Sequence, residues 1–242
     1  IFNQTFQDFE LILLDDFSRD GSWEYLSQFT CHPKVSHCIR NESNSGSPFT
    51  QWKKGLDLAK GDLIWIAESD DFAEYSFLER CMPFFQSKEV SMVIASSFNV
   101  DSFDQPIREV SLDFSPGFHI GNFFVSRYMY FQNSVVNASS VVFRKAFIDE
   151  EILDQLGEFQ LCGDHLFWAG LMKDHSIVFL EDRLNFFRWH EKSVRYKELK
   201  KLTELKEGIR VKKWIENQVE ILKIDKRKSR RDAYLAYFKY LK

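Results

Sequence analysis

Short apolar runs separated by segments of helical spacing occupy the first part of the chain. Residues 9–14, 35–39 and 63–67 are apolar runs of strand length, and each is followed by polar turn residues. Pro48 in a first helical position and Gly61 as a stop signal predict a helix between the second and third runs. Near-continuous apolar strands that alternate with helices predict an α/β fold with a mostly parallel sheet, covered on both faces.

The pattern changes towards the end of the chain. Residues 90–95 and 177–180 are predicted strands, and residues 186–193 are predicted to form a loop rich in polar side chains. Residues 196–242 contain 15 Lys or Arg and 7 Asp or Glu, although the net charge of the whole chain is −4. This shift predicts a domain over residues 1–195 and a basic extension of two or three helices over residues 196–242.

Composition and charge narrow the classes of function. No apolar run approaches the roughly 20 residues that a membrane-spanning helix needs. The four cysteines are too few and too scattered for a disulfide framework, so we expect reduced thiols and a cytoplasmic protein. The acidic balance of the chain before residue 196 would repel phosphates, which argues against nucleic acid as a partner.

Acidic residues gather where two predicted strands end. Asp15 and Asp16 follow the first strand, and Glu68, Asp70 and Asp71 follow the third. Because ligands collect beyond the carboxyl ends of strands in such sheets, we expect the two groups to share a site. Crowded carboxylates repel unless a positive group lies between them, which suits a divalent cation such as Mg²⁺ or Mn²⁺. A solvated turn that caps the next helix is the alternative, and spacing alone leaves both open.

Four segments resemble the family 2 glycosyltransferases of the GT-A fold and follow the family's order. They read NQTFQDFELILLDDFSRDGS, NSGSPFTQWKKGLDLAKGDLIWIAESDDFAE, NASSVVFRK and RWHEKS, and the match runs from Phe2 to about Ser193. The resemblance implies a GT-A-like three-layer sandwich. It also implies an inverting transferase that moves a sugar from a nucleotide diphosphate sugar, expected to be a UDP-sugar, to a hydroxyl of a glycan or lipid-linked acceptor. Mn²⁺ or Mg²⁺ is the implied cofactor.

The resemblance assigns roles to the acidic residues. The acids after the third strand would hold the metal on the donor diphosphate, and they correspond here to Glu68, Asp70 and Asp71. Glu68 stands where an aspartate is more usual, and Asp70 would also contact the donor nucleotide. Asp15 and Asp16 match the aspartate pair whose second member contacts the nucleobase.

Two later segments complete the implied site. The general base of the family precedes a tryptophan by four residues, a spacing that Asp164 and Trp168 have here. Gly163 replaces the glutamate that the family places before the base. In the last segment, Arg188 is the implied contact to the donor diphosphate and His190 an implied metal ligand.

The resemblance also implies a further strand at the centre of the sheet, before the segment that begins at Phe2, and we expect this chain to lack that strand. A phosphoacceptor domain explains the acids at the first strand less well, since it is about half this length. A non-catalytic nucleotide- or glycan-binding module of the same fold is the remaining alternative.

The end of the chain carries a strong cationic cluster. Residues 226–231 read KRKSRR and lie close to Tyr234, Tyr237 and Phe238. A basic helix with apolar side chains can dock on anionic lipid, which would place the protein peripherally at the inner face of the membrane. A solvated helix face is the alternative.

Overall fold

The computed structural model describes residues 1–109, 114–135, 137–189 and 198–240. Its strands are β1 (Leu11–Asp15), β2 (Val35–Arg40), β3 (Leu63–Trp65), β4 (Phe72–Ala73), β5 (Val90–Val100), β6 (Pro106–Glu109), β7 (Gly117–Ile120), β8 (Val141–Arg144) and β9 (Ser176–Arg188). Its α-helices are α1 (Ser22–Leu26), α2 (Pro48–Leu58), α3 (Phe77–Cys81), α4 (Gly121–Phe124), α5 (Glu150–Gln155), α6 (Gly163–Met172), α7 (Glu198–Gln218) and α8 (Lys223–Tyr240). Short 3₁₀ turns join several of them.

The strands form two sheets. Strands β1 and β2 pair in parallel as a two-stranded sheet, and the other seven form a mixed sheet of order β3–β8–β5–β9–β4, with β6 on β5 and β7 on β9. The predicted α/β architecture is confirmed. Parallel pairing is confined, among the described strands, to β1–β2 and β5–β9, so the sheet is mixed where a mostly parallel one was expected. Strand β8 enters between β3 and β5 in the opposite direction, and β4, β6 and β7 also pair antiparallel with their neighbours.

The longest strand differs from its prediction. Residues 177–180 were expected to form a short strand and residues 186–193 a loop, but β9 continues from Ser176 to Arg188, while residues 190–193 lie outside the described part of the chain. The extension pairs in parallel with β5, where Phe98 lies opposite Phe186, and antiparallel with β4. This continuation carries Arg188 to the end of β4, beside the acidic residues.

The sheet separates two hydrophobic clusters, so the chain has the expected layers. Met92 and Ile94 of β5 belong to the larger cluster, and Val93 and Ala95 belong to the smaller one. Because successive side chains of a strand point to opposite faces, the two clusters cover opposite faces of the sheet. The larger cluster includes aromatic side chains of α2 and α6, and the smaller one includes Phe77 of α3.

Two helices form the described part of the C-terminal segment. Helix α7 contacts α6 and buries Val211 and Ile215 in the larger cluster. A domain division at residue 196 stays a prediction. None of the helices in the described part of the chain is both long enough and apolar enough to cross a bilayer.

Candidate active site

The acidic segment after β3 is attached to the turn before β8. The indole Nε1 of Trp65 donates to the carbonyl oxygen of Ser139 at 2.8 Å, and the backbone N–H of Glu68 donates to Ser139 Oγ at 3.0 Å. One carboxylate oxygen from each of Glu68, Asp70 and Asp71 lies within 4.8 Å of the others. We call these three residues the acidic cluster. The structure therefore brings together the predicted metal ligands that it describes.

Asp71 is the most enclosed member of the acidic cluster. Its Oδ1 accepts the backbone N–H of Arg188 at 3.0 Å, its Oδ2 accepts the side-chain amide of Asn137, and the hydroxyl of Ser139 also bonds to it. Burial raises the pKa of Asp71 above its usual range, and the charge of Asp70 adds to this rise, whereas the three hydrogen bonds oppose it. The three hydrogen bonds thus offset part, but not all, of the cost that burial and the charge of Asp70 impose on this carboxylate.

The acidic cluster fits a small divalent cation. Glu68 and Asp71 are half-buried and Asp70 is exposed, so the cluster lies at the surface with its oxygens converging. Mg²⁺ and Mn²⁺ prefer oxygen ligands and take only one or two protein carboxylates when water and phosphate oxygens complete the shell. The donor set therefore matches these ions better than it matches Zn²⁺, which favours nitrogen and sulfur.

Arg188 joins the end of β9 to the acidic cluster and to the turn after β5. Its guanidinium donates through Nε to the carbonyl oxygen of Asp70 at 2.8 Å and through Nη1 to that of Asp101 at 3.2 Å. The same Nη1 forms an ion pair with the carboxylate of Asp104. Arg188 thus lies beside the acidic cluster, and its guanidinium contacts protein groups in this structure. His190 lies outside the described residues.

Asp164 lies in the first turn of α6. Its Oδ2 accepts the side-chain amide of Asn133 at 2.9 Å, and its Oδ1 accepts the backbone N–H of His165 at 2.8 Å. Asn133 is four residues from Asn137, the partner of Asp71, so their Cα atoms can be no more than about 14 Å apart. One short segment therefore connects the predicted base to the acidic cluster.

The residues next to Asp164 in the sequence, Gly163 and His165, are packed against the protein interior. A Cβ atom on Gly163 would lie 2.8 Å from ring carbons of Phe49, so the position expected to hold a glutamate is filled by an aromatic ring. His165 is buried and its Nε2 lies 2.7 Å from the carbonyl oxygen of Met129, and burial lowers its pKa to about 4. This histidine is therefore neutral and structural. Trp168 is buried in the larger hydrophobic cluster.

Asp15 is a buried structural acid. It forms an ion pair with Arg40 at 3.2 Å and accepts the backbone N–H of Ser18 at 3.2 Å. Only 2% of its side chain is exposed, so a direct contact with a ligand would require this turn to open.

Asp16 organises the loop between β2 and α2. Its carboxylate accepts hydrogen bonds from the side chains of Asn41 and Gln51 and from both the backbone and the hydroxyl of Ser45. Burial would raise the pKa of Asp16, but the bonds from Ser45, Asn41 and Gln51 together lower it. Nucleotide contacts by Asp15 and Asp16 stay predictions.

Sequence reasoning missed the polar side chains that hold the two acidic positions. Asn133 binds Asp164, and Asn137 and Ser139 bind Asp71. The segment NASSVVFRK contains two of them, but nothing in its spacing indicates which acid they contact. Such contacts depend on residues 31 and 66 positions apart and need the folded chain to become visible.

Comparison with known proteins matches residues 1–153 to the model of "Glycosyl transferase family 2". A relative from Streptococcus pneumoniae, "Glycosyltransferase GlyG", is 32% identical over 43% of this chain and 34% of its own length. The "Poly(ribitol-phosphate) beta-glucosyltransferase" of Bacillus spizizenii is 23% identical over 73% of this chain and 23% of its own length. The curated relatives that the chain matches are covered over only 23% to 36% of their length.

Solved structures support the fold. The crystal structure of S. aureus TarS 1–349 aligns with a TM-score of 0.65 at 15% identity, covering 98% of this chain and 65% of TarS 1–349. The same protein in complex with UDP-GlcNAc aligns with a TM-score of 0.61 at 16% identity, covering 89% and 65%. These likenesses confirm the GT-A-like fold that the sequence predicted. With the family model matching more than half of its residues, the chain belongs to glycosyl transferase family 2.

Proposed function

We propose that the protein transfers a sugar from a nucleotide diphosphate sugar, most simply a UDP-sugar, to an acceptor hydroxyl with inversion at the anomeric carbon. The observation that carries the proposal is that Asn137 bonds to Asp71 of the acidic cluster while Asn133, four residues earlier, bonds to Asp164. A cation for the diphosphate leaving group and a base for the hydroxyl nucleophile are what such a transfer needs. The complexes of TarS with UDP and with UDP-GlcNAc support the choice of a UDP-sugar.

On the donor side, Glu68, Asp70 and Asp71 would hold Mn²⁺ or Mg²⁺, with Asp70 placed outermost for contact with the donor. When bound there, the cation would neutralise negative charge on the diphosphate. Arg188 supplies a fork of donors that matches phosphate oxygens, and it would exchange its ion pair with Asp104 for the donor. His190 is proposed as a further metal ligand.

Asp15 and Asp16 are proposed to serve the nucleotide end of the donor. Asp16 is half-buried and fixes the loop that contains Asn41 and Ser45. The nucleobase of the donor would therefore contact both the Asp16 carboxylate and a preformed loop. Asp15 supports this turn through Arg40.

Asp164 is proposed as the general base. The bonds from Asn133 and from the His165 N–H fix its carboxylate without protonating it. Asp164 would take the proton of the acceptor hydroxyl while that oxygen bonds to the anomeric carbon from the face opposite the diphosphate. The bond from that carbon to the diphosphate oxygen breaks with its electron pair, and the nucleoside diphosphate leaves.

We propose a glycan or lipid-linked acceptor. The relative from Bacillus spizizenii, named for poly(ribitol-phosphate), supports a polymeric acceptor. A non-catalytic binding module is the second candidate, and Gly163 in place of the family's glutamate is the observation that favours it. Transfer activity separates the two, since a binding module would bind the nucleotide sugar and leave it intact.

We further propose a cytoplasmic location with peripheral contact to the inner face of the membrane. The low number and wide scatter of cysteines in the sequence support a reducing compartment. Helix α8 carries a row of exposed side chains at helical spacing, namely Ile224, Arg227, Arg231 and Leu235. Ile224 is 72% exposed and Leu235 is 53% exposed. A helix face that combines cations with exposed apolar side chains suits an anionic lipid surface.

Asp70→Ala should abolish the dependence of UDP binding on Mn²⁺, because it removes the outermost carboxylate of the acidic cluster. Calorimetric titration of UDP with and without Mn²⁺ measures this. Asp154→Ala is the control, since Asp154 is exposed and paired with Lys53 on another surface. An unchanged Mn²⁺ dependence in Asp70→Ala would remove the cation site from the proposal.

Asp164→Asn should leave UDP affinity unchanged and lower transfer by about 10²–10⁴-fold, the usual contribution of a general base. The measurement is UDP release from UDP-glucose and UDP-GlcNAc in the presence of poly(ribitol phosphate) and other glycan acceptors. Glu158→Gln, a neutralised acid on the turn before α6, serves as the control. Transfer at the parent rate by Asp164→Asn would show that another group is the base.

Arg227→Gln/Arg231→Gln should weaken binding to phosphatidylglycerol-containing vesicles by about 30-fold, since each cation contributes on the order of 1 kcal/mol. Co-sedimentation with such vesicles and with neutral phosphatidylcholine vesicles gives the affinity. Lys60→Gln/Lys88→Gln removes the same charge from exposed positions elsewhere. Equal losses in both double variants would mean that α8 has no special role at the membrane.

A further inference from the structure

A row of buried polar side chains leads from the acidic cluster into the sheet. Asn137 donates through its amide to Asp71, and its Oδ1 accepts the amide of Asn185 at 3.0 Å. The same amide of Asn185 donates to Ser97 Oγ at 3.0 Å. Asn137, Ser97 and Asn185 are 5%, 3% and 0% exposed. The row therefore connects Asp71 to β9 and β5 through groups that water does not reach.

The orientation of each amide in this row is determined by its partners. Turning the amide of Asn137 would place its oxygen against the Asp71 carboxylate and its NH₂ against the NH₂ of Asn185. Turning the amide of Asn185 would place its oxygen against the oxygen of Asn137 and remove that hydrogen bond. Asn137 precedes the 3₁₀ turn of residues 138–140 but makes no side-chain cap bond to it. Its amide donates to Asp71 instead.

Ser139 adds a second connection to the same carboxylate. Its hydroxyl accepts the backbone N–H of Glu68 at 3.0 Å and bonds to Asp71. Because the hydroxyl has a single hydrogen and its oxygen accepts from Glu68, that hydrogen is the one directed at Asp71. Ser139 is 2% exposed, so this arrangement is also shielded from water.

We propose that Asn137, Ser139 and Asn185 are positioning residues that fix the Asp71 carboxylate in the orientation required for binding a divalent cation. The inference rests on the proposed function, because it assigns these residues to the cation site proposed there. An ionised carboxylate offers about four lone-pair directions, and the hydrogen bonds from Arg188, Asn137 and Ser139 occupy three of them. Among the contacts of the described residues, one direction remains for a cation.

The size of the effect follows from other sites of this kind. Groups that hydrogen-bond to a metal ligand typically change metal affinity by about 10–100-fold when they are removed. The Asn137 amide is held at both ends, by Asp71 and by Asn185. The amide of Asn185 donates to Asn137 and to Ser97, so its influence on Asp71 would run through Asn137.

The test measures Mn²⁺ affinity of the full chain in the presence of saturating UDP, from the electron paramagnetic resonance signal of free Mn²⁺. Asn137→Ala and Ser139→Ala should each weaken Mn²⁺ binding by about 10–100-fold. Ser139→Ala removes one oxygen and keeps the test valid if Asn137→Ala does not fold. Asn99→Ala is the matched control, a buried asparagine on β5, and it should leave the affinity unchanged.

A double variant distinguishes positioning from general destabilisation. In an Asp71→Ala background, Asn137→Ala should cause no further loss of Mn²⁺ affinity, because its target is gone. The inference is overturned if Asn137→Ala and Ser139→Ala bind Mn²⁺ like the parent, or if Asn137→Ala costs as much without Asp71 as with it. If the parent protein binds no Mn²⁺, or Asp70→Ala binds it equally well, the proposed cation site fails and the inference fails with it.

Discussion

Repulsion between three carboxylates is the constraint on which the candidate site depends. Glu68, Asp70 and Asp71 place oxygens within 4.8 Å of one another, so the fold must hold them together before any cation binds. It does so with hydrogen bonds from two separate segments. The N–H of Arg188 comes from β9, Asn137 and Ser139 come from the turn before β8, and Arg188 also binds the Asp70 carbonyl oxygen. The mixed sheet matters for the candidate site because its strand pairing brings those segments to the end of β3.

The path of β9 determines where the candidate site lies. Strand β9 runs through the centre of the sheet beside β5 and ends next to β4, which follows directly on the acidic cluster. On the other side of the turn before β8, Asn133 holds Asp164 at the start of α6. The two acidic positions Asp71 and Asp164 therefore depend on one connecting segment, and a shift in that segment would disturb both.

The sequence alone predicts the elements that depend on local signals. The apolar run at residues 63–67 contains β3, the Pro48 start and the Gly61 stop enclose α2, and the acids after β3 do converge. It missed features that depend on distant pairing. The antiparallel entry of β8, the extension of β9 to Arg188 and the contact of Asn137 with Asp71 all join residues far apart in the chain. Gly163 looked like a gap in a motif, but the structure shows the ring of Phe49 in the space beside it, which a side chain at position 163 would need.

The most direct test of a cation site at the acidic cluster is anomalous X-ray scattering from crystals grown with UDP and Mn²⁺. The account predicts an anomalous difference peak within bonding distance of an Asp70 carboxylate oxygen and of the UDP diphosphate, with Asp71 still bonded to Asn137. UDP bound with no such peak at the acidic cluster, or a Mn²⁺ peak only at another position, would contradict it.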